Sequence, residues 1–384
     1  MDLFNVYPVY PIEIEKAKGF KLWDKQGKEY TDLYGGHAVI SIGHSHPHYI
    51  KRIKDQLDKL AFYSNSIEIP IQKELAKKLG ELSGYEDYNL FLCNSGAEAN
   101  ENALKVASFE TKRSKILAFK GGFHGRTSGA VAITDNPKII APFNQPHEKV
   151  LVDLNDIDAA DKVLRNNDVA AVIVEGIQGL AGIYLPTQDF MTSLAALCKK
   201  HGTMLILDEV QSGYGRAGEF FAHQLYDIQP DIITTAKGMG NGYPIGGVLI
   251  NPKVEAWFGM LGTTFGGNHL ACAAALAVLE VIENEKLVEN AKNLETIQVE
   301  LFSKIPGVKE VRGKGLMTAI EFDFPVAPIR KKLVFDHGLF TGSAANPNVL
   351  RFLPPLTITE TEVKLLADCL ILALQEEAVS NDKL

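Results

Sequence analysis

Seven short apolar runs punctuate the middle of the chain, at residues 89–93, 115–119, 128–134, 169–175, 204–210, 231–235 and 245–250. Runs such as VAAVIV and MLIL are solidly apolar rather than alternating, the pattern of strands buried on both faces. Segments with helical spacing separate them, so the pattern predicts an α/β fold with a mostly parallel central sheet. The flanks differ. About the first 45 residues are rich in aromatics, Pro and Gly. After residue 286 the pattern reads helix, short strands across 307–322, then a final helix. Thr359 and Glu362 form a capping box opening that helix, and Val363, Leu366, Leu370 and Ala373 follow at helical spacing. These patterns predict a large α/β domain over 45–285 and a smaller α+β domain built from 1–44 and 286–384.

Composition narrows the class. The 384 residues suit roughly two domains, large enough to bury cores without staples. Apolar residues make up 46% and charged residues 22%, which excludes disordered and fibrous chains. A net charge of −8 disfavours general binding to nucleic acid. Cys93, Cys198, Cys272 and Cys369 stand far apart with no C-x-x-C, which excludes zinc ribbons and fits a reducing compartment. The opening MDLFNVYPVYP has neither a basic region nor an apolar core of a signal peptide. The longest apolar helical run, 270–282, is too short to span a bilayer. The expectation is a soluble cytoplasmic protein that binds neither membrane nor nucleic acid.

Open parallel sheets place their chemistry at the carboxyl ends of the strands. VAAVIV ends in Glu175, MLIL leads to Asp208, and DIITTA ends at Lys237. Ser95, Gly96, Ala97 and Glu98 open a helix after another strand. They read as a capping box, and equally as an anion site whose free N–H groups suit phosphate. Asp208 reads as a solvated strand-end acid or as a buried carboxylate facing a cationic ring nitrogen. Lys237 precedes a glycine-rich turn, and a lysine desolvated there can form a Schiff base with an aldehyde. Phe123 can pack in a core or present a flat face to a planar ring. Arg126 can be a surface charge or a clamp for a carboxylate. Arg351, inside the apolar NVLRFLPPL, calls for an anionic partner.

From about residue 19 to 355 the chain resembles the class III, ornithine-type, pyridoxal-phosphate aminotransferases of fold type I. It is most similar to the N-acylornithine members. The segments that carry the likeness are YGGHAVISIGHSHP, NSGAEANENALK, GGFHGRTSGA, LILDEVQSGYGRAGEFFA, PDIITTAKGMGNGYPIGGV and GTTFGGNHLA, in this order. The resemblance implies that pyridoxal 5'-phosphate is held covalently on Lys237, with Asp208 on the pyridine nitrogen. It implies that Gln211 approaches the ring hydroxyl, Phe123 stacks on the ring, and Ser95, Gly96 and Ala97 bind the phosphate. Thr264 is expected to reach the phosphate of the neighbouring subunit, which implies a homodimer. Arg126 and Thr263 match acylornithine-contacting positions, Arg351 matches the carboxylate-binding arginine, and Glu175 lies in the substrate segment.

One segment departs from the family. Where E-P-x-Q-G-E-x-G is usual, this chain has EGIQGLAG over 175–182, so Leu180 replaces a glutamate that shields the arginine in many members. Leu180 accepts no hydrogen bond, so Arg351 is either permanently open or partnered by another acid. The implied reaction transfers the δ-amino group of N2-acetylornithine or N2-succinylornithine to 2-oxoglutarate, in arginine biosynthesis. Free ornithine, 4-aminobutyrate and other ω-amines stand as rival donors. His44, His46 and His48 raise the separate reading of a metal-dependent hydrolase, against which Pro47 and the lack of H-E-x-x-H count. A noncatalytic binding protein on the same fold is opposed by the intact lysine, aspartate and phosphate segment.

Overall fold

Short β-branched runs separated by turns give three sheets in the computed structural model, which describes residues 1–381. Strands β1 (Ile14–Lys18), β2 (Lys21–Asp24) and β3 (Glu29–Asp32) form an antiparallel meander. The middle of the chain contributes β4 (Asn89–Cys93), β5 (Lys115–Phe119), β6 (Lys149–Val152), β7 (Val169–Glu175), β8 (Met204–Asp208), β9 (Ile232–Thr235) and β10 (Gly246–Ile250). The last part adds β11 (Val308–Lys314), β12 (Met317–Phe322), β13 (Leu339–Phe340), β14 (Gly342–Ser343) and β15 (Val349–Phe352).

The central sheet has the order β4-β10-β9-β8-β7-β5-β6. β5, β6, β7, β8 and β9 are parallel, and β10 alone runs against its neighbours β4 and β9. Every residue of β7 and β8 is buried, as expected for strands covered on both faces. β8 ends at Asp208 rather than 210 because the Val210 N–H turns back onto Asp208 Oδ1, 3.0 Å away. The short strand β6 was not expected from sequence. It lies at the sheet edge, half-buried, and four residues give little periodicity to read.

One expected strand is absent. Residues 128–134 form a short helix, Ser128–Ala132. Its first N–H groups find an acceptor outside the segment: Glu101 accepts from Gly129 N at 2.8 Å, Ala130 N at 3.0 Å and Thr127 Oγ1 at 2.7 Å. A carboxylate at a helix N-terminus is a favourable cap, and it outweighs the β-branched content of the run.

The two chain ends meet. β13 pairs in parallel with β3, matching Leu339 to Thr31 and Phe340 to Asp32. β15 lies between β12 and β14. Leu33 and Ile42 from the N-terminal part share one apolar cluster with Leu276, Leu350 and Phe352. The apolar run 270–282 falls in helix His269–Asn284, buried on nearly every side within that cluster. Among the described residues no helix is long and apolar enough to cross a membrane. In the last helix Glu362 accepts from Thr359 N and Oγ1, each at 2.8 Å, so Glu362 makes the expected reach back. All four cysteines are free.

Candidate active site

Glu175 and Asp208 end neighbouring strands and face each other in register, as Asp208 and Thr234 do on the next pair. Cross-strand partners project from the same face. Helix Gly96–Thr111 covers that face and places Asn100 over Asp208. Asn100 Nδ2 donates to Asp208 Oδ2 and to the His124 carbonyl, both at 2.7 Å, while its Oδ1 accepts from Thr234 Oγ1 at 2.6 Å. His124 Nδ1 donates to the same Asp208 Oδ2 at 2.8 Å. With the Val210 N–H on Oδ1, both oxygens of this buried carboxylate are satisfied. Burial disfavours the charged form of His124, but the bond to Asp208 and its charge outweigh that and raise the imidazole pKa. Glu175 accepts from Phe123 N and Gly179 N, each at 3.0 Å. Burial nonetheless raises its carboxyl to about 7, opposed by His124 and assisted by the nearby Asp208 charge.

Beside this cluster the helix N-terminus opens onto a cavity of about 370 Å³. Ser95 caps it by accepting from Glu98 N at 3.2 Å. Glu98 reaches one residue further back than a simple capping box, to Asn94 N at 2.7 Å and Asn94 Nδ2 at 2.9 Å. The leading N–H groups of the helix have no acceptor within it, and Ser95, Gly96 and Ala97 line the cavity. Close approach is enforced by two glycines. A Cβ on Gly96 would lie 2.5 Å from Val210 Cγ1, and one on Gly125 would lie 2.7 Å from Ala97 Cβ.

Lys237 lines the same cavity from the turn after β9, with its backbone at φ +41°. Burial lowers its amine pKa, with Arg351 adding to the effect and Asp208 and Glu175 opposing it. Phe123, Arg126 and Asp208 complete the set that the structure brings to the cavity wall. Arg126 is exposed. Thr263 stands at the side, accepting from Asn94 Nδ2 at 3.3 Å and Gly266 N at 3.1 Å. Thr264 is exposed and does not line this cavity.

Arg351, 1% exposed, lies behind the wall in β15. Its Nε donates to the Ser343 carbonyl at 2.5 Å, and Nη1 donates to the Gly179 carbonyl at 3.0 Å and to Gln211 Oε1 at 3.1 Å. Its guanidinium also lies 6.0 Å from the centre of the Tyr34 ring. These partners are all uncharged. Among the described residues no carboxylate forms an ion pair with it, so the acid missing at Leu180 has no substitute. Gln211 is fixed by that bond and packs so closely on Gly179 that a Cβ there would overlap it.

The histidine triplet does not converge. His44 Nε2 bonds Asp32 at 2.8 Å, His46 Nε2 bonds Glu285 at 2.9 Å, and His48 bonds Glu280. Among the described residues no group of three His, Cys, Asp or Glu side chains could hold a metal ion. Sequence reasoning missed Asn100, His124 and Val210. Each stood inside a quoted segment, and only the packing shows that they touch Asp208 or the cavity.

A glycine-shaped pocket at a helix N-terminus, a buried carboxylate and a desolvated lysine form a donor set suited to pyridoxal phosphate. The fold and site thus define a pyridoxal-phosphate-dependent transferase. The family described as aminotransferase class-III matches residues 5–374, and the chain belongs to that family. It is 42% identical over 364 residues to an acetylornithine aminotransferase of Archaeoglobus fulgidus, covering 94% of this chain and 95% of that protein. An acetylornithine aminotransferase of Bacillus subtilis is 40% identical over 368 residues, covering 94% of each chain. The crystal structure of an acetylornithine aminotransferase from Elizabethkingia anophelis superposes with a TM-score of 0.83 at 32% identity, covering 97% of this chain and 96% of that one. An ornithine aminotransferase from Toxoplasma gondii gives 0.89 at 31% identity, covering 98% and 92%.

Proposed function

We propose that this enzyme transfers the δ-amino group of an N2-acylornithine to 2-oxoglutarate. The products are an N-acylglutamate semialdehyde and glutamate, on the route to arginine. One observation carries the reading: Lys237, Asp208 and the glycine-shaped helix N-terminus share one cavity. They do so in a chain about 40% identical, over nearly its whole length, to acetylornithine aminotransferases. Both acetyl and succinyl donors remain in the proposal, because Arg351 carries no internal acid and Arg126 is open at the cavity wall.

The residues divide the work as follows. When bound, pyridoxal phosphate supplies an aldehyde that captures the amine and a ring that withdraws electrons from the carbon bearing it. Ser95, Gly96 and Ala97 hold its phosphate through N–H groups, and Phe123 faces its ring. Asp208, fixed by Asn100, His124 and the Val210 N–H, holds a proton at the ring nitrogen. Gln211 approaches the ring hydroxyl. Lys237 Nζ, at the cavity wall, would hold the cofactor at its aldehyde end. Burial pushes the Lys237 amine toward the neutral form, in which it would take the proton from the carbon bearing the amino group and return it. Arg351 binds a substrate carboxylate, while Arg126 and Thr263 contact the acyl end and Glu175 borders the substrate segment. Because the enzyme carries the amino group between two substrates, its kinetics are ping-pong.

The active unit in this proposal is a homodimer in the cytoplasm. Thr264 and Phe265 stand exposed beside Phe62, whose ring lies 5.4 Å from that of Phe265, and an apolar surface of this kind suits a second copy. Thr264 would then serve the neighbour's phosphate site.

The test is the visible spectrum of the purified protein before and after N2-acetylornithine and N2-succinylornithine are added separately. Bleaching of a yellow band by either one is expected, and the one that acts sets the acyl preference. A yellow protein that answers to neither, but bleaches with ornithine or 4-aminobutyrate, overturns the acylornithine reading.

A further inference from the structure

Residues Gly35–Ala38 wind left-handed. Their φ values are +57°, +55°, +68° and +62°, and the turn closes through Ala38 N to the Tyr34 carbonyl at 3.0 Å and Val39 N to the Gly35 carbonyl at 2.8 Å. Glycine adopts this backbone freely, but His37 and Ala38 do not. Non-glycine residues hold such a conformation where the surroundings impose it, commonly at functional sites.

The surroundings of His37 give the strain a purpose. Its ring lies 4.8 Å from that of Tyr34, and Tyr34 Oη bonds His37 Nδ1. Tyr34 is itself pinned, since a Cβ on Gly342 would lie 2.6 Å from Tyr34 Cε2, and its ring lies under the Arg351 guanidinium. Two residues on, Val39 lines the cavity. His37 is exposed, yet burial of its surroundings and the charges of Arg351 and Lys237 lower its pKa, so the ring is neutral at pH 7. Burial keeps the Tyr34 phenol protonated, and the bond in which its O–H donates to Nδ1 leaves the ring proton of His37 on Nε2. A neutral N–H donor therefore shares the Tyr34 ring as a neighbour with a buried guanidinium that, among the described residues, forms no ion pair.

We propose that His37 is a specificity-determining residue that donates its Nε2–H to the substrate carboxylate bound by Arg351. This rests on the reading of Arg351 given above. A neutral donor adds a directed bond where a second cation would be repelled by Arg351.

His37→Gly separates this role from a structural one. It removes the imidazole and relieves the backbone, so it should leave the melting temperature equal or higher. It should weaken binding of glutarate, a non-reacting dicarboxylate, to the holoenzyme roughly tenfold or more by calorimetry, the loss of one charge-assisted hydrogen bond. KM for 2-oxoglutarate should rise in step while kcat stays within about threefold. His37→Asn, which tolerates the left-handed backbone, should behave alike in binding and guards against a glycine variant that folds poorly. Unchanged glutarate affinity in either variant overturns the proposal, and so does a lack of glutarate binding by the unaltered enzyme. Failure of both acylornithines as donors would remove the substrate reading alone, because glutarate does not depend on it.

Discussion

Gly96 stands where the helix backbone passes within 2.5 Å, measured from a would-be Cβ, of a stiff valine methyl. Gly96→Ala should therefore cost about 1–3 kcal/mol of stability, as overpacking does. It should also push out of place the N–H groups that the proposed function gives to the phosphate, and a spectrophotometric titration should show weaker uptake of pyridoxal phosphate. Uptake as tight as in the unaltered chain would mean that the phosphate is held elsewhere. Glu175 gives a pH prediction. Its carboxyl is raised from 4.5 to about 7 on folding, so the folded chain binds the extra proton between those values. The contribution of Glu175 to stability is therefore lost as pH rises through that window. Glu175→Gln lacks this dependence, so its stability relative to the parent should improve from pH 5 to pH 8. A fixed offset is also expected, because one amide cannot accept from Phe123 N and Gly179 N with both of its ends. A stability difference that does not change with pH would refute the raised carboxyl. Lys237, Asp208 and the segment 95–97 were legible in the sequence because their types are unusual at the ends of apolar runs. Asn100 and His124 were not, since an amide in a helix and a histidine in a loop acquire meaning only from what they touch.

At the scale of elements, the inner strands β7 and β8 of the central sheet were legible because burial on both faces demands an unbroken apolar run. The 128–134 segment was misread because its helix depends on Glu101, almost thirty residues earlier in the chain. Glu101→Ala should leave Gly129 N, Ala130 N and Thr127 Oγ1 without their acceptor and cost about 1–3 kcal/mol. Denaturant unfolding checks this, and a loss below a few tenths would mean that water replaces the carboxylate without penalty. The helix His269–Asn284 shows the opposite case. Its apolar character all round would fit a buried helix or a membrane segment, and its length and its setting among helices Pro47–Leu57 and Pro70–Ser83 decide for the former.

For the whole molecule, the proposed dimer makes a prediction that no single chain can show. The chain of 42.1 kDa should sediment at twice that mass. Lys237→Ala and Thr264→Ala variants should each bind the cofactor poorly, Thr264→Ala by about tenfold for a lost bond to phosphate. In mixed dimers one site collects both defects and the other has neither, so the mixture should recover a fraction of sites with full affinity. No recovery on mixing would place Thr264 at its own subunit's site. The sequence by itself determined six of the seven strands of the central sheet and the lysine, aspartate and 95–97 segment at strand ends, because these follow from local patterns of burial and residue type. The tertiary structure decided the rest. It showed that, among the described residues, Arg351 has only uncharged hydrogen-bond partners and that the three histidines diverge to three carboxylates. It also showed that residues from the two ends of the chain stand together beside the cavity. Most of those contacts join segments more than a hundred residues apart, and nothing in the local spacing of a chain encodes which distant side chain will be its neighbour.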